Sequence, residues 1–256
     1  MKFSSIGFIG SQGLDVDYLL VGGGSIGETS NQTDYCGYGG GAGGFNSSHT
    51  SIAFAATYSV SVGVGGTNVA PDGGTSSFAG DYAGGGHGNN IGYPQPPGSS
   101  PQSITCGISP LIGIYKQGGD GSSTTGSLPY CTGTPPNRDG KAGDGGSGSL
   151  WYDGNYYSGG GGGGTFTSIG NAGVGGLGGG GTGGFNTGLA ATGSKNTGGG
   201  GGGGSQFGSG VGGEGGSGIV KIRYYGSGSK ATGGTITYSD GYTYHSFTAS
   251  ATLTTL

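Results

Sequence analysis

Three histidines, three cysteines and twelve acidic side chains carry most of the chemistry available to this 256-residue chain. His49, His87 and His245 stand far apart, with no H-x-x-E-H or similar spacing, so the sequence gives them no shared metal. His245 follows Tyr244 in an alternating segment and is expected at the surface. Asp139, Asp144 and Asp153 lie in a glycine-rich stretch, yet they miss the 1, 3, 5 oxygen spacing of a calcium loop. A paired-carboxylate glycosidase needs two convergent acids. Here the only glutamates are Glu28 and Glu214, and the aspartates are scattered. No Ser-His-Asp or Cys-His elbow is present. Cys106 and Cys131 flank one irregular stretch and can pair, leaving Cys36 free. An odd count argues against a complete disulfide framework, and the spacings match no zinc pattern. The expectation is a chain with no catalytic residue, no cofactor and no metal.

Gly22-Gly23-Gly24-Ser25-Ile26-Gly27 fits G-x-G-x-x-G directly after a strand-like run. With 75 glycines in the chain, about six such matches arise by chance, so the motif alone says little. The helix that should follow is missing, because residues 28–33 are poor helix formers. No acidic residue sits at the distance that would hold a ribose. Dinucleotide binding is not expected, and no P-loop occurs.

Aromatic residues offer recognition instead. Trp151, Tyr152, Tyr156 and Tyr157 form the densest cluster. They either cap a glycine layer as core or form a platform that touches a sugar or a protein. Residues 88–139 differ in kind from the rest. Eight of the nine prolines and two of the three cysteines fall there. Tyr93, Tyr115, Lys116, Tyr130 and Arg138 in or beside these loops are the better contact candidates, since loops on a rigid scaffold carry recognition. Their Tyr, Ser, Gly and Asn content is that of a paratope.

The elements behind these residues must be β. Glycine makes up more than a quarter of the chain, against about 7% on average, and each interior glycine costs a helix roughly 1 kcal/mol. Collagen is excluded by the lack of a three-residue glycine period and the few prolines. No apolar stretch is long enough to span a membrane as a helix. The formal charge of -4, with no basic patch, argues against nucleic acid and favours neutral glycans or protein surfaces. Residues 1–10 lack a signal-peptide pattern.

Residues 15–21 read as a strand. In residues 57–64, Tyr58, Val60, Val62 and Val64 alternate onto one face. Residues 75–79 give a short strand, and residues 112–115 a hairpin. Residues 218–225 read as a strand expected near 15–21. Residues 235–247 form a hairpin about Asp240-Gly241, and residues 249–256 add a last strand. The long glycine runs are 159–164, 178–181 and 198–204. A lone run is a linker, but many together can pack as polyglycine II helices. Without Cβ atoms, neighbouring backbones approach closely and satisfy each other's N–H and C=O groups. The expected fold is all-β with a polyglycine II layer, sandwich-like and without helices of note. Its parts are a lead or attachment segment at 1–14, a domain at 15–225 with the loop insertion 88–139, and a C-terminal hairpin unit at 226–256.

The order of Asp17-Tyr18-Leu19-Leu20-Val21-Gly22-Gly23-Gly24, then Thr57-Tyr58-Ser59-Val60-Ser61-Val62-Gly63, then glycine runs, then Gly216-Ser217-Gly218-Ile219-Val220-Lys221-Ile222-Arg223-Tyr224 resembles the glycine-rich domain of bacteriophage tail-fibre proteins. The tail from Gly233 to Thr248 is similar to segments that accompany such domains. The likeness covers about residues 15–250 and leaves out the 88–139 insertion. In the related tip adhesins of T-even-like phages, a polyglycine II layer carries variable loops that bind the host surface. The resemblance implies a non-catalytic adhesin in the virion tail, released by lysis. Its partners would be a host-surface glycan or protein, other tail proteins and further copies of itself. A self-assembling filament or coat protein is the alternative, and an enzyme ranks third.

Overall fold

The computed structural model describes residues 13–29, 37–88, 115–116, 142–165, 171–205 and 210–256. No helix occurs among them, and the chain is all-β with antiparallel pairing. One sheet has six strands. Its order is β11 (Thr235–Ser239), β12 (Tyr242–Phe247), β9 (Ile219–Tyr225), β1 (Gly13–Val21), β2 (Phe45–Ala53) and β6 (Tyr115–Lys116). A second sheet has the order β10 (Ala231–Thr232), β13 (Ala251–Thr255), β3 (Thr57–Ser61), β4 (Ser76–Phe78) and β5 (Asp81–Ala83). A small hairpin joins β7 (Ser149–Leu150) to β8 (Tyr156–Tyr157). The C-terminal strands enter both sheets: β12 pairs with β9, and β13 with β3.

Alternation decides which side chains meet between the sheets. Val16, Tyr18 and Leu20 of β1 join Val220, Ile222 and Tyr224 of β9, and Phe247 of β12. From the other sheet come Val60, Phe78, Ala83 and Leu253. The first and ninth strands are direct neighbours, with Asp17 opposite Arg223 and Val21 opposite Ile219. The hairpin at Asp240-Gly241 forms with both turn residues at positive φ, 50° and 80°, as an Asp-Gly turn requires. The alternation read in residues 57–64 stops early. Val64 is exposed, because the chain leaves β3 and becomes a glycine rod at Gly63.

Beyond Val21, Ser61 and Ala83 the chain does not turn but continues as extended glycine rods. Residues 198–204 occupy the middle of the layer. Gly200 and Gly203 donate to the carbonyls of Gly159 and Gly162. Gly201 and Gly204 donate to Ser25 and Glu28, and Gly202 donates to Ala191. The carbonyls of Gly200 and Gly203 accept from Gly181 and Gly184. Those of Gly201 and Gly204 accept from Gly40 and Gly37, and those of Gly199 and Gly202 from Gly216 and Gly213. Each residue in turn addresses a different neighbour, and the pattern repeats every third residue, the period of a threefold extended helix. Buried backbone groups are thereby paired without a sheet.

The registers also give directions. Residues 159–162, 181–184 and 25–28 step in the same sense as 198–204, whereas 37–43 and 213–216 step against it. Residues 142–148 and 171–177 likewise run against 159–163. The outgoing rods therefore end, at about residues 28, 165, 184 and 204, on the side of the layer away from the two sheets, and the returning rods begin there.

Candidate functional surface

The six-stranded sheet has a second face, turned away from the core. Odd-numbered residues of β1 and β9 and even-numbered residues of β12 point to it. Antiparallel register places Thr237, Tyr244, Arg223, Asp17 and His49 in one row across the strands. Arg223 is the centre. Its Nε and Nη2 each lie 3.0 Å from Asp17 Oδ2, and Nη1 donates to the Tyr244 hydroxyl at 3.3 Å. The guanidinium lies between two rings, with Cζ 3.6 Å from the centroid of Tyr152 and 4.2 Å from that of Tyr242. A planar guanidinium can stack and hydrogen-bond at once, which an ammonium cannot. Each stacked face contributes about 1 kcal/mol. Burial works against the Arg223 charge, yet the bonds to Tyr244 and Asp17 raise its pKa above the ordinary arginine value. Asp17 also binds His49 Nδ1 at 2.9 Å.

The hairpin of β7 and β8 is fastened over this face. Trp151 is buried against Leu19, Val21, Phe45 and Tyr244, and its Nε1 donates to Ser47 Oγ at 3.1 Å. Burying such a ring stabilises by about 2 to 3 kcal/mol. Lys221 reaches up to bond Asp153 directly, and the Tyr157 hydroxyl donates to the same carboxylate at 2.7 Å. Burial opposes the charge of Asp153, but the bonds from Lys221, Tyr157 and the Asn155 amide hold its pKa below the ordinary carboxylate value. Burial, and the carboxylate beside it, push the Tyr157 phenol upward.

The aromatic cluster seen in the sequence is thus divided. Trp151 and Tyr157 are buried anchors, whereas Tyr152 and Tyr156 are exposed. Tyr115 and Lys116 form β6, opposite Asn46 and Phe45 at the sheet edge. Tyr93, Tyr130, Arg138, Asp139, Cys36, Cys106 and Cys131 lie outside the described residues. His245 is buried, contrary to its expected surface position. On β12, Thr243, His245 and Phe247 turn inward while Tyr242 and Tyr244 turn outward, so the histidine falls on the core side. Its Nδ1 lies 2.7 Å from the Gly233 carbonyl, which can only accept, so Nδ1 carries the proton. Nε2 then accepts from the Tyr224 hydroxyl at 3.3 Å.

Among the described residues no three His, Cys, Asp or Glu side chains gather as a metal site. No helix long and apolar enough to cross a membrane occurs among them. The G-x-G-x-x-G segment is a glycine rod, whose amides at Gly22, Gly24 and Gly27 bond Gly44, Gly216 and Gly213. Those donors are committed to neighbouring backbone, not aimed at a phosphate. Sequence inspection missed Asp17, Arg223, Tyr242 and Tyr244. The available signal was alternation: Asp15/Asp17, Lys221/Arg223/Tyr225 and Tyr242/Tyr244 each occupy every second position of a strand.

Fold and surface together define an all-β protein whose strands run into a glycine scaffold. The chain belongs to the glycine-rich domain family, whose model matches residues 7–225. No curated protein matches it.

Proposed function

We propose that the chain is a bacteriophage tail-fibre or tail-tip protein that binds the host surface without catalysis. On this proposal the glycine rods form a polyglycine II layer and the 88–139 insertion makes the contact. One observation supports it above the others. Outgoing rods end, and returning rods begin, on the side of the layer away from the sheets, so the rod ends that the connections must join gather at one end of a rigid scaffold. That is how a recognition surface is displayed at low ordering cost. The chain enters the insertion after residue 88, at the end of one such rod, and re-enters the layer at residue 142. The test is binding of the labelled protein to bacterial cells. Alanine replacing Tyr93, Tyr115, Lys116, Tyr130 and Arg138 together should weaken binding at least about tenfold, with circular dichroism unchanged. Equal binding by the variant refutes the contact assignment.

The filament or coat alternative has its own support. Val174 and Leu177 are exposed and three residues apart, hence on one ridge of a three-residue repeat, and exposed apolar ridges favour association. A monomer by light scattering at high concentration refutes it.

A further inference from the structure

The outward face of the six-stranded sheet has features that the loop-borne adhesin does not require. Along it one guanidinium stands between two pairs of aromatic rings. Tyr225 packs edge-on to Tyr242 at 5.6 Å, Tyr242 faces Arg223, Arg223 faces Tyr152, and Tyr152 meets Trp151 at 5.6 Å. The series is anchored from below by the buried Trp151, yet Tyr225 and Tyr152 are 73% and 59% exposed. Exposed rings held this firmly lose little entropy when something stacks on them.

The charges on the same face select among ligands. Lys221 is paired to Asp153, and Arg223 to Asp17. Asp15 is exposed on this face as well, opposite Ser51. Among the described side chains of this face both cations are therefore committed and no positive excess remains, so a polyanion gains nothing from them. What remains is a run of flat apolar rings beside hydroxyl, carboxylate and imidazole groups of Tyr152, Tyr225, Asp17 and His49. A sugar ring has the complementary make-up, with an apolar C–H face and a polar hydroxyl rim.

We infer that this tyrosine–arginine face is a second binding surface, specific for uncharged polysaccharide and centred on β9, β12 and the β7–β8 hairpin, three strands away from the edge strand that the 88–139 insertion lends to the sheet. Sugar rings would stack on Tyr152 and Tyr225, with their hydroxyls bonding Asp17 and His49. The assignment stands on this geometry alone, not on the adhesin proposal.

Trp151 is the one tryptophan of the chain, so its fluorescence reports on Tyr152. The probes are maltohexaose, cellohexaose and mannohexaose, with a hexagalacturonate as the charged comparison. At least one neutral hexamer should give a saturable change with a Kd below about 10 mM, tighter than the uronate. Tyr152→Ala and Tyr225→Ala should each weaken it about fivefold to tenfold. Tyr152→Phe should retain it. Tyr238→Ala should leave it unchanged, since Tyr238 is exposed on the other face of β11. A variant with alanine at Tyr93, Tyr130 and Arg138 alone, which leaves the sheet unchanged, should bind the hexamer normally whether or not it binds cells, which separates this test from the previous one. The inference falls if no neutral hexamer binds, if the uronate binds better, or if Tyr152→Ala binds as the parent does. It also falls if Trp151 emission shifts with protein concentration alone, for then the face is a contact between copies.

Discussion

Two buried ionisable residues respond to pH in opposite senses. Burial depresses the pKa of His245, against the Gly233 carbonyl that raises it. The folded state therefore holds its proton less well than the unfolded chain. The stability tied to the neutral ring is present above the ordinary histidine pKa of about 6.5 and is lost as pH falls through the lower folded value. Glu28 behaves the other way. Burial raises its carboxyl from 4.5 to about 7, although the Tyr38 amide pulls it back. Its contribution is complete below pH 4.5 and is lost as pH rises through about 7, at a cost of about 3 kcal/mol. Thermal melts across pH should separate the two. Glu28→Gln should raise the midpoint relative to the parent at pH 8 and do little at pH 4. His245→Gln should lower it at pH 8 while flattening the fall toward acid. Parallel curves for parent and Glu28→Gln would refute the buried-acid assignment.

Among the elements, the glycine rods are the least tolerant of change. A Cβ on Gly201 would lie 1.8 Å from the Gly213 carbonyl oxygen, and one on Gly203 2.0 Å from that of Gly37. Neither neighbour is a side chain that can swing away. Gly201→Ala should cost about 3 kcal/mol or more by denaturant titration, whereas Gly228→Ala, with open space around it, should fall within about 0.5 kcal/mol of the parent. Equal effects would mean that the layer is loose. The same rods explain what the sequence could and could not say. A strand such as β9 announces itself through alternating Ile, Val and Tyr, and the hairpin of β11 and β12 through its Asp-Gly turn. The second strand, FNSSHTSIA, gave no such signal. It is polar along most of its length and is held by its ladder to β1. Glycine has no side chain to encode a neighbour, so the pairing of 198–204 with six other segments was invisible. The site was half legible for a similar reason. Trp151 to Tyr157 stand together in sequence, but Arg223 and Asp17 are 206 residues apart and meet only through strand register.

Across the whole molecule, sheets and rods are one continuous hydrogen-bonded body. The chain leaves β1, β3 and β5 as rods without a break, and bonds cross the seam. The Gly22 amide bonds Gly44, extending the β1–β2 ladder, and Gly218 bonds Gly63 from the opposite sheet. Buried Ser76 donates to the Val21 carbonyl at 2.6 Å and accepts from the Gly63 amide at 2.9 Å, locking the two sheets together where the rods begin. Ordering glycine has the largest backbone entropy cost of any residue, and a rod alone has no internal bond to offset it. The layer can be stable only if its rods form together, with their ends already fixed by the sheets. Folding should then be a single cooperative event rather than a sandwich with a softer appendage. Native-state hydrogen exchange tests this directly. The amides of Gly200, Gly201 and Gly203, at the middle of the layer, should exchange only through global unfolding, with the same free energy and denaturant slope as Leu20 and Val220 in the core. If those glycines exchange through smaller openings, the layer is a separate unit. A mechanically rigid mount for loops at its far end would then be lost, and the adhesin proposal would lose its structural support.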